Sequence, residues 1–190
     1  MKLSIIVPAF NEERYLAGTL RAIHEALSCI DEYEVIVVDN ASVDRTQVIA
    51  RESEARIVSE SVHNISRVRN CGGRSAAGDV LVFVDADTTV PVELFTKIRE
   101  LMQDPACAGG AVAVKYGPSE RRWVRYYLRL WLFLGTFSKM RQGATQFCRR
   151  SVFLDTDMTR PSLWARTSNF TGVWTSIAQR TAFTRLISMK

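Results

Sequence analysis

Three short apolar runs, Leu3 to Val7, Glu34 to Val38 and Val80 to Val84, are rich in β-branched residues, and each stops at a polar or turn-forming group: Pro8, Asp39-Asn40 and Asp85-Ala86-Asp87. Runs of this length without in-out alternation predict strands buried on both faces, as in parallel sheets. Leu16, Leu20, Ile23 and Leu27 mark a helical stripe between the first two runs, with Asn11 expected as its cap, and Ser42 is expected to cap a second helix over SVDRTQVIARE. Arg56 to Val58 reads as a further strand, Ala76 to Gly78 as a helix end, Val92 to Met102 as a helix and Gly110 to Lys115 as a strand. The β-α-β-α order predicts one α/β domain with a doubly wound sheet and helices on both faces, a fold that binds ligands at the carboxyl ends of its strands.

Composition narrows the class without choosing a ligand. The chain has 190 residues, 47% of them hydrophobic, enough for one domain with a core. Its net charge of +5 and pI near 9.2 suit nucleic acid, anionic lipid or a phosphorylated small molecule. Cys29, Cys71, Cys107 and Cys148 are too widely spaced for a zinc knuckle or a CxxC pair and read as reduced thiols of a cytoplasmic protein. The opening MKLSIIVPAF is too short for a signal-peptide core, and no apolar stretch reaches the roughly 18 residues of a membrane span. The expectation is a soluble protein, peripheral to a membrane at most.

The strand ends carry the chemistry. There is no GxGxxG after the first strand and no GxxxxGK[ST] anywhere, so phosphates must be held by other groups. Asp85 and Asp87 flank one small residue, a spacing that suits a hard divalent cation, Mg2+ or Mn2+; an Asp-x-Asp after a strand also serves simply as a turn or cap. Asp39 either accepts from a ribose hydroxyl or base N–H, or shapes the turn with Asn40. Arg69 either binds a diphosphate or base, or is a solvated surface arginine.

SIIVPAFNEERYL, EVIVVDNASVDRT and RNCGGRSAAGDVLVFVDADTTVP, in this order and spacing, resemble the family 2 glycosyltransferases of the GT-A fold over about residues 2–153. The resemblance implies a GT-A-like mixed sheet and transfer of a sugar from a nucleotide diphosphate donor to a saccharide or lipid-linked acceptor hydroxyl, with inversion, as in the making of cell-envelope polysaccharide. It implies that Pro8, Ala9 and Glu12 surround the nucleobase, that Asp39 and Arg69 contact the nucleotide, and that Asp85 and Asp87 hold the metal and diphosphate, Asp87 being the main metal ligand. HNISRV departs from the family pattern, with Ile65 where a glycine is usual, so the loop before Arg69 is expected to be differently shaped. The rival readings are a basic nucleic-acid-binding module, for which acidic strand ends are a poor seat, and a donor-binding protein that has lost catalysis.

Two segments stand apart. Trp123, Tyr127, Leu130, Leu134 and Phe137 share a helical face near Arg125 and Arg129, which reads either as a helix packed on the sheet or acceptor cleft, or as one lying on a membrane surface. After GATQFCRRSVF the family pattern continues with a glycine, an aromatic, D-E and then an E-D pair whose aspartate is the implied general base; no such E-D occurs after Phe153, so no catalytic base is assigned.

The tail is expected to be frame-shifted. Joining the third base of the Thr156 codon to the first two of Asp157, and continuing, permits G-Y-D-E-T-I-F-M-G-E-D-I-E-F-Y-W-R-L without a stop. The D after Y is compelled by Met158-Thr159, and the G before E-D by Trp164-Ala165. One base lost from a run of G at the Thr156 and Asp157 codons produces the written chain, whose residues from Asp157 to Lys190 lack amphipathic periodicity because they were never selected to pack.

Overall fold

The computed structural model describes residues 1–112 and 145–155. The elements run β1 (Leu3–Ala9), α1 (Leu16–Leu27), β2 (Tyr33–Asp39), α2 (Thr46–Glu52), β3 (Arg56–Ser59), α3 (Ile65–Ser75), β4 (Val80–Val84), α4 (Leu94–Leu101), β5 (Gly109–Val112), β6 (Thr145–Arg149) and α5 (Arg150–Asp155). They build one mixed sheet of order β3-β2-β1-β4-β6-β5, parallel from β3 to β4, with β6 antiparallel to both of its neighbours. The chain moves outward from β1 to β3 and then returns to the other side of β1 as β4. That reversal is the topological switch point of the sheet.

Strand alternation sorts the core into two layers. Leu3, Ile5, Val7, Val35, Val37, Val80 and Val82 pack against the α1 stripe of Leu16, Leu20, Ile23 and Leu27, together with Ala50 of α2 and Leu94, Phe95 and Ile98 of α4. Each fully buried Leu or Ile of this layer contributes about 1.5–3 kcal/mol. Ile6, Ile36, Val38, Leu81 and Phe83 face the other way, against Val68 of α3 and Phe153 of α5. Here the helix comes closer. A methyl on Gly72 would overlap Ile6 and Val38, and one on Gly73 would enter the Phe153 ring. Two glycines inside a helix cost about 1 kcal/mol each, and in α3 they let the backbone lie directly on the sheet.

Several local expectations need correction. Asn11 does not cap α1, whose first turn follows Tyr15; it adopts a positive φ of 55° and its Oδ1 accepts from Val43 N–H at 2.9 Å. Ser42 does not cap α2 either, because the helix starts three residues later than that requires, and Ser42 Oγ instead accepts from Asn11 N–H at 3.0 Å. The fourth helix starts at Leu94 rather than Val92, Ala76 to Gly78 lie beyond the end of α3, and β5 begins at Gly109 and is described as far as Val112. All four cysteines are free, and burial pushes the Cys148 thiol up to about 12. The segment from Trp123 to Phe137 and the tail after Asp155 lie outside the described residues.

Candidate functional site

The crevice follows from unequal strand pairing. β1 pairs with β2 as far as Ala9 and Asp39, but with β4 only as far as Ile6 and Phe83. Pro8, which has no N–H to give a ladder, lies past the last β4 partner, and it and Ala9 form a buried wall there. Asp39 ends β2, and Glu12, Asp85 and Asp87 lie just beyond the carboxyl ends of β1 and β4.

The D-x-D turn is anchored from below. Ala86 is buried, and its carbonyl accepts from Thr19 Oγ1 of α1 at 2.6 Å, while Thr88 N–H donates to the Asp85 carbonyl at 3.1 Å. Asp85 Oδ1 accepts from Arg69 Nη2 of α3 at 2.7 Å. The Arg69 side chain is only 16% exposed, so it is not a solvated surface arginine, and its buried Nε has no partner among the described residues. Asp87 is exposed. Burial pushes the Glu12 carboxyl above its ordinary value, and the charges of Asp87 and Asp44 push it the same way. Negative charge from the β1 and β4 ends therefore meets at one mouth, with one arginine against it.

Asp39 is 1% exposed and its carboxylate accepts from Ser42 N–H, at 3.3 and 3.4 Å, and from Gln47 Nε2 at 2.7 Å. It shapes the turn after β2, and two carboxylate oxygens retain lone pairs beyond these bonds. The loops after β1 and β2 are further strapped together: Glu12 N–H donates to Thr46 Oγ1 at 2.8 Å, Glu13 N–H to Asp44 Oδ2 at 3.0 Å and Arg45 N–H to Glu13 Oε2 at 3.2 Å. In HNISRV the unexpected Ile65 is the first residue of α3, and Asn64 caps it by accepting from Arg67 N–H at 3.1 Å.

Several supporting residues are not among those singled out from the sequence. Thr19 had a signal: it falls on the buried face with Leu16, Leu20 and Ile23, where a hydroxyl must find a partner. Gln47 had none, since a side-chain amide on a short helix has many places to go. Phe10, 48% exposed directly after β1, meets the His63 ring edge-on at 4.7 Å.

A mixed α/β sheet with an acid-lined crevice at its switch point defines a class of ligand-binding enzymes. The sequence profile of glycosyl transferase family 2 matches residues 4–156, and the chain belongs to that family. It is 33% identical over 132 residues to a dolichol-phosphate mannosyltransferase of Pyrococcus furiosus, covering 66% of this chain and 37% of that protein. The mannosyltransferase PcManGT of Pyrobaculum calidifontis, solved with GDP-Man and Mn2+, matches with a TM-score of 0.70 at 25% identity, over 94% of this chain and 52% of that one. TarS 1-349 of S. aureus in complex with UDP matches in fold with a TM-score of 0.66 at 19% identity, over 90% of this chain and 54% of that one. The chain thus spans well under two thirds of these relatives.

Proposed function

We propose that this chain holds the donor side of an inverting transferase that moves a sugar from a nucleotide diphosphate to an acceptor hydroxyl. The observation that carries the reading is the Arg69–Asp85 pair, which ties α3 to the D-x-D turn at the mouth of the β1–β4 crevice. The donor's diphosphate takes the Arg69 side, its nucleoside runs past Pro8 and Ala9 toward Asp39, and Glu12 closes the edge. Family membership and the donor complexes of the structural relatives support this orientation.

Among the described residues no three His, Cys, Asp or Glu side chains gather to hold a metal. That donor set fits Mg2+ or Mn2+ all the same, because such ions are held by one or two carboxylates and complete their shell with phosphate oxygens and water. Asp87, exposed and raising the Glu12 carboxyl, is the main ligand, and Asp85 the second. When bound, the ion neutralises charge on the departing diphosphate. Arg69 would neutralise part of the same charge, while the buried Ala86 and Thr19 keep the turn from yielding. The acceptor hydroxyl bonds to the anomeric carbon as the carbon–diphosphate bond breaks, and its proton goes to a base, which the family pattern places beyond residue 153.

Calorimetry with UDP and GDP, with and without Mn2+, tests the site. Asp87→Asn should remove the metal-dependent part of the affinity and leave the fold intact; unchanged Mn2+ dependence sinks the assignment.

A second reading concerns the tail, and the end of the family match at residue 156 favours it. It holds that residues 1–153 are the donor and partial acceptor region and that the chain from Asp157 onward is read in a shifted frame. As written, the protein then binds donor and turns over poorly. A gene whose codons at Thr156 to Val173 are incompatible with the shifted string refutes this, and so does robust turnover by the purified chain.

A further inference from the structure

Phe153 of α5 is 2% exposed, and its ring stands between two elements that carry the candidate site. On one side it packs on Phe83 of β4, with ring centroids 5.8 Å apart and planes tilted by 31°. On the other it fills the space that a side chain on Gly73 of α3 would take. Two residues past Phe83 the chain delivers Asp85, and one helical turn before Gly73, on the same helix face, stands Arg69. The Arg69–Asp85 bond of 2.7 Å closes the circuit. Contacts therefore run from the guanidinium down α3 to Gly73, across the Phe153 ring to Phe83, and back up to the carboxylate. The size of that ring sets how far α3 stands from the end of β4.

The first residue of α5 holds the ring in place. Arg149 and Arg150 are neighbours, yet they serve opposite faces of the sheet. Arg149, last in β6, donates from Nε to the Cys107 carbonyl at 2.9 Å and from Nη2 to the Met102 and Asp104 carbonyls at 2.8 Å each, which closes the end of α4. Arg150 donates from Nε to the Ala76 carbonyl at 2.9 Å, at the end of α3, and its backbone N–H donates to the Asp79 carbonyl at 2.8 Å, just before β4. A cation on the last carbonyls of a helix fastens that end. We infer that Phe153 is a positioning residue for the donor's diphosphate, acting through α3 on Arg69, and that Arg150 is the latch that keeps the ring seated. Arg149 makes more bonds and has no part in this, because its partners lie on the α4 side.

This inference rests on the donor-site reading, and two measurements keep their failures apart. The first needs no nucleotide. The buried Arg69 Nε–H has no partner among the described residues, so its nitrogen–proton NMR signal in the labelled full chain should exchange slowly with water. Its loss in Arg69→Lys assigns it. Phe153→Leu, which shrinks the wedge, should shift that signal and speed its exchange. Arg150→Met, which keeps the apolar stem and removes the donors, should do the same to a smaller extent. Leu27→Ala, a truncation in the α1 layer, and Arg149→Met should leave the signal in place whatever stability they cost. A signal unmoved in both α5 variants, or moved as far by the two controls, overturns the inference. If Phe153→Leu does not fold, Arg150→Met decides alone.

The second is calorimetry of UDP and GDP with Mn2+. Phe153→Leu should lower the affinity roughly tenfold, the weakening of one charge-assisted hydrogen bond, and Arg150→Met should lower it less. Leu27→Ala and Arg149→Met should bind as the wild type does. Unchanged affinity in the α5 variants of a chain that binds donor overturns the inference and leaves the donor site standing. Absence of all nucleotide binding by the wild type overturns both.

Discussion

The two faces of the sheet are built by different means. The α1 side is filled by volume: Leu16, Leu20, Ile23, Leu27 and Phe95 interdigitate with alternate strand residues. The α3 side is built by proximity, because Gly72 and Gly73 remove side chains so that the helix backbone rests on Ile6, Val38 and Phe153. Of these two helices α3 carries the charged residue of the candidate site, Arg69, about one turn before its glycines, whereas α1 reaches the site only through Thr19, which holds the Ala86 carbonyl. A volume-filled layer tolerates rearrangement by repacking, whereas a proximity-built one holds a side chain at a set height above the sheet. The contrast places most of the adjustable material away from the ligand, Thr19 being the exception.

Leu20→Ala should give the largest stability loss, about 2–5 kcal/mol, since Leu20 is fully buried in the volume-filled layer. Donor affinity of the molecules that remain folded should not change. Gly72→Ala should cost less, about 1–3 kcal/mol by overpacking, partly offset by the roughly 1 kcal/mol gain in helix propensity. It should nevertheless weaken UDP or GDP binding, because the added methyl lifts α3 and with it Arg69. Urea midpoints and calorimetry on both variants check the pair. If Leu20→Ala lowers affinity as much as Gly72→Ala, the division of labour between the faces is wrong.

The smallest effect lies at the foot of the α3 face. Glu34 accepts from Ser4 Oγ at 2.6 Å and Ala77 N–H at 2.6 Å, and pairs with Arg56 at 3.2 Å. Burial pushes its carboxyl up, but the bonds from Ser4 and Ala77 and the charges of Arg56 and Lys2 outweigh it and hold the group below the ordinary glutamate value. The sign follows from linkage. A carboxyl held low in the folded state stabilises above its unfolded value, near 4.3, and that stabilisation is lost as pH falls through the folded value. Urea midpoints should therefore drop as the buffer moves from about pH 6 to about pH 3, and Glu34→Gln should flatten part of that slope. An identical slope in the variant removes Glu34 from the account.

Much of this was legible before any coordinates. The runs ending at Pro8, Asp39 and Asp85 became the three central strands, and the stripe from Leu16 to Leu27 became the buried face of α1, because burial imposes a local period on the sequence. The caps were not legible. Asn11 and Ser42 have the composition of helix caps, yet each is spent on the other's loop, across 31 residues of sequence. Gln47 is hidden for the same reason: an amide bonded to the Asp39 carboxylate leaves no mark on spacing. Side-chain bonds between loops obey no period, so the strand ends could be found while the network holding them could not.

The strand order has a consequence for the chain as it is made. β6 lies between β4 and β5, yet it is the last strand described, so the β4 edge has no partner until residues 145–149 exist. That edge is VLVFV, apolar throughout and buried on both sides in the finished sheet. Roughly 60 residues separate the two strands, on the order of 3–12 s of synthesis, during which a nascent chain displays an open, uncharged β-edge of the kind that joins to its neighbours on a polysome. Soluble yield should therefore be limited by the interval before Thr145 emerges, and slow codons between Val84 and Thr145 should lower it more than slow codons anywhere after Asp155.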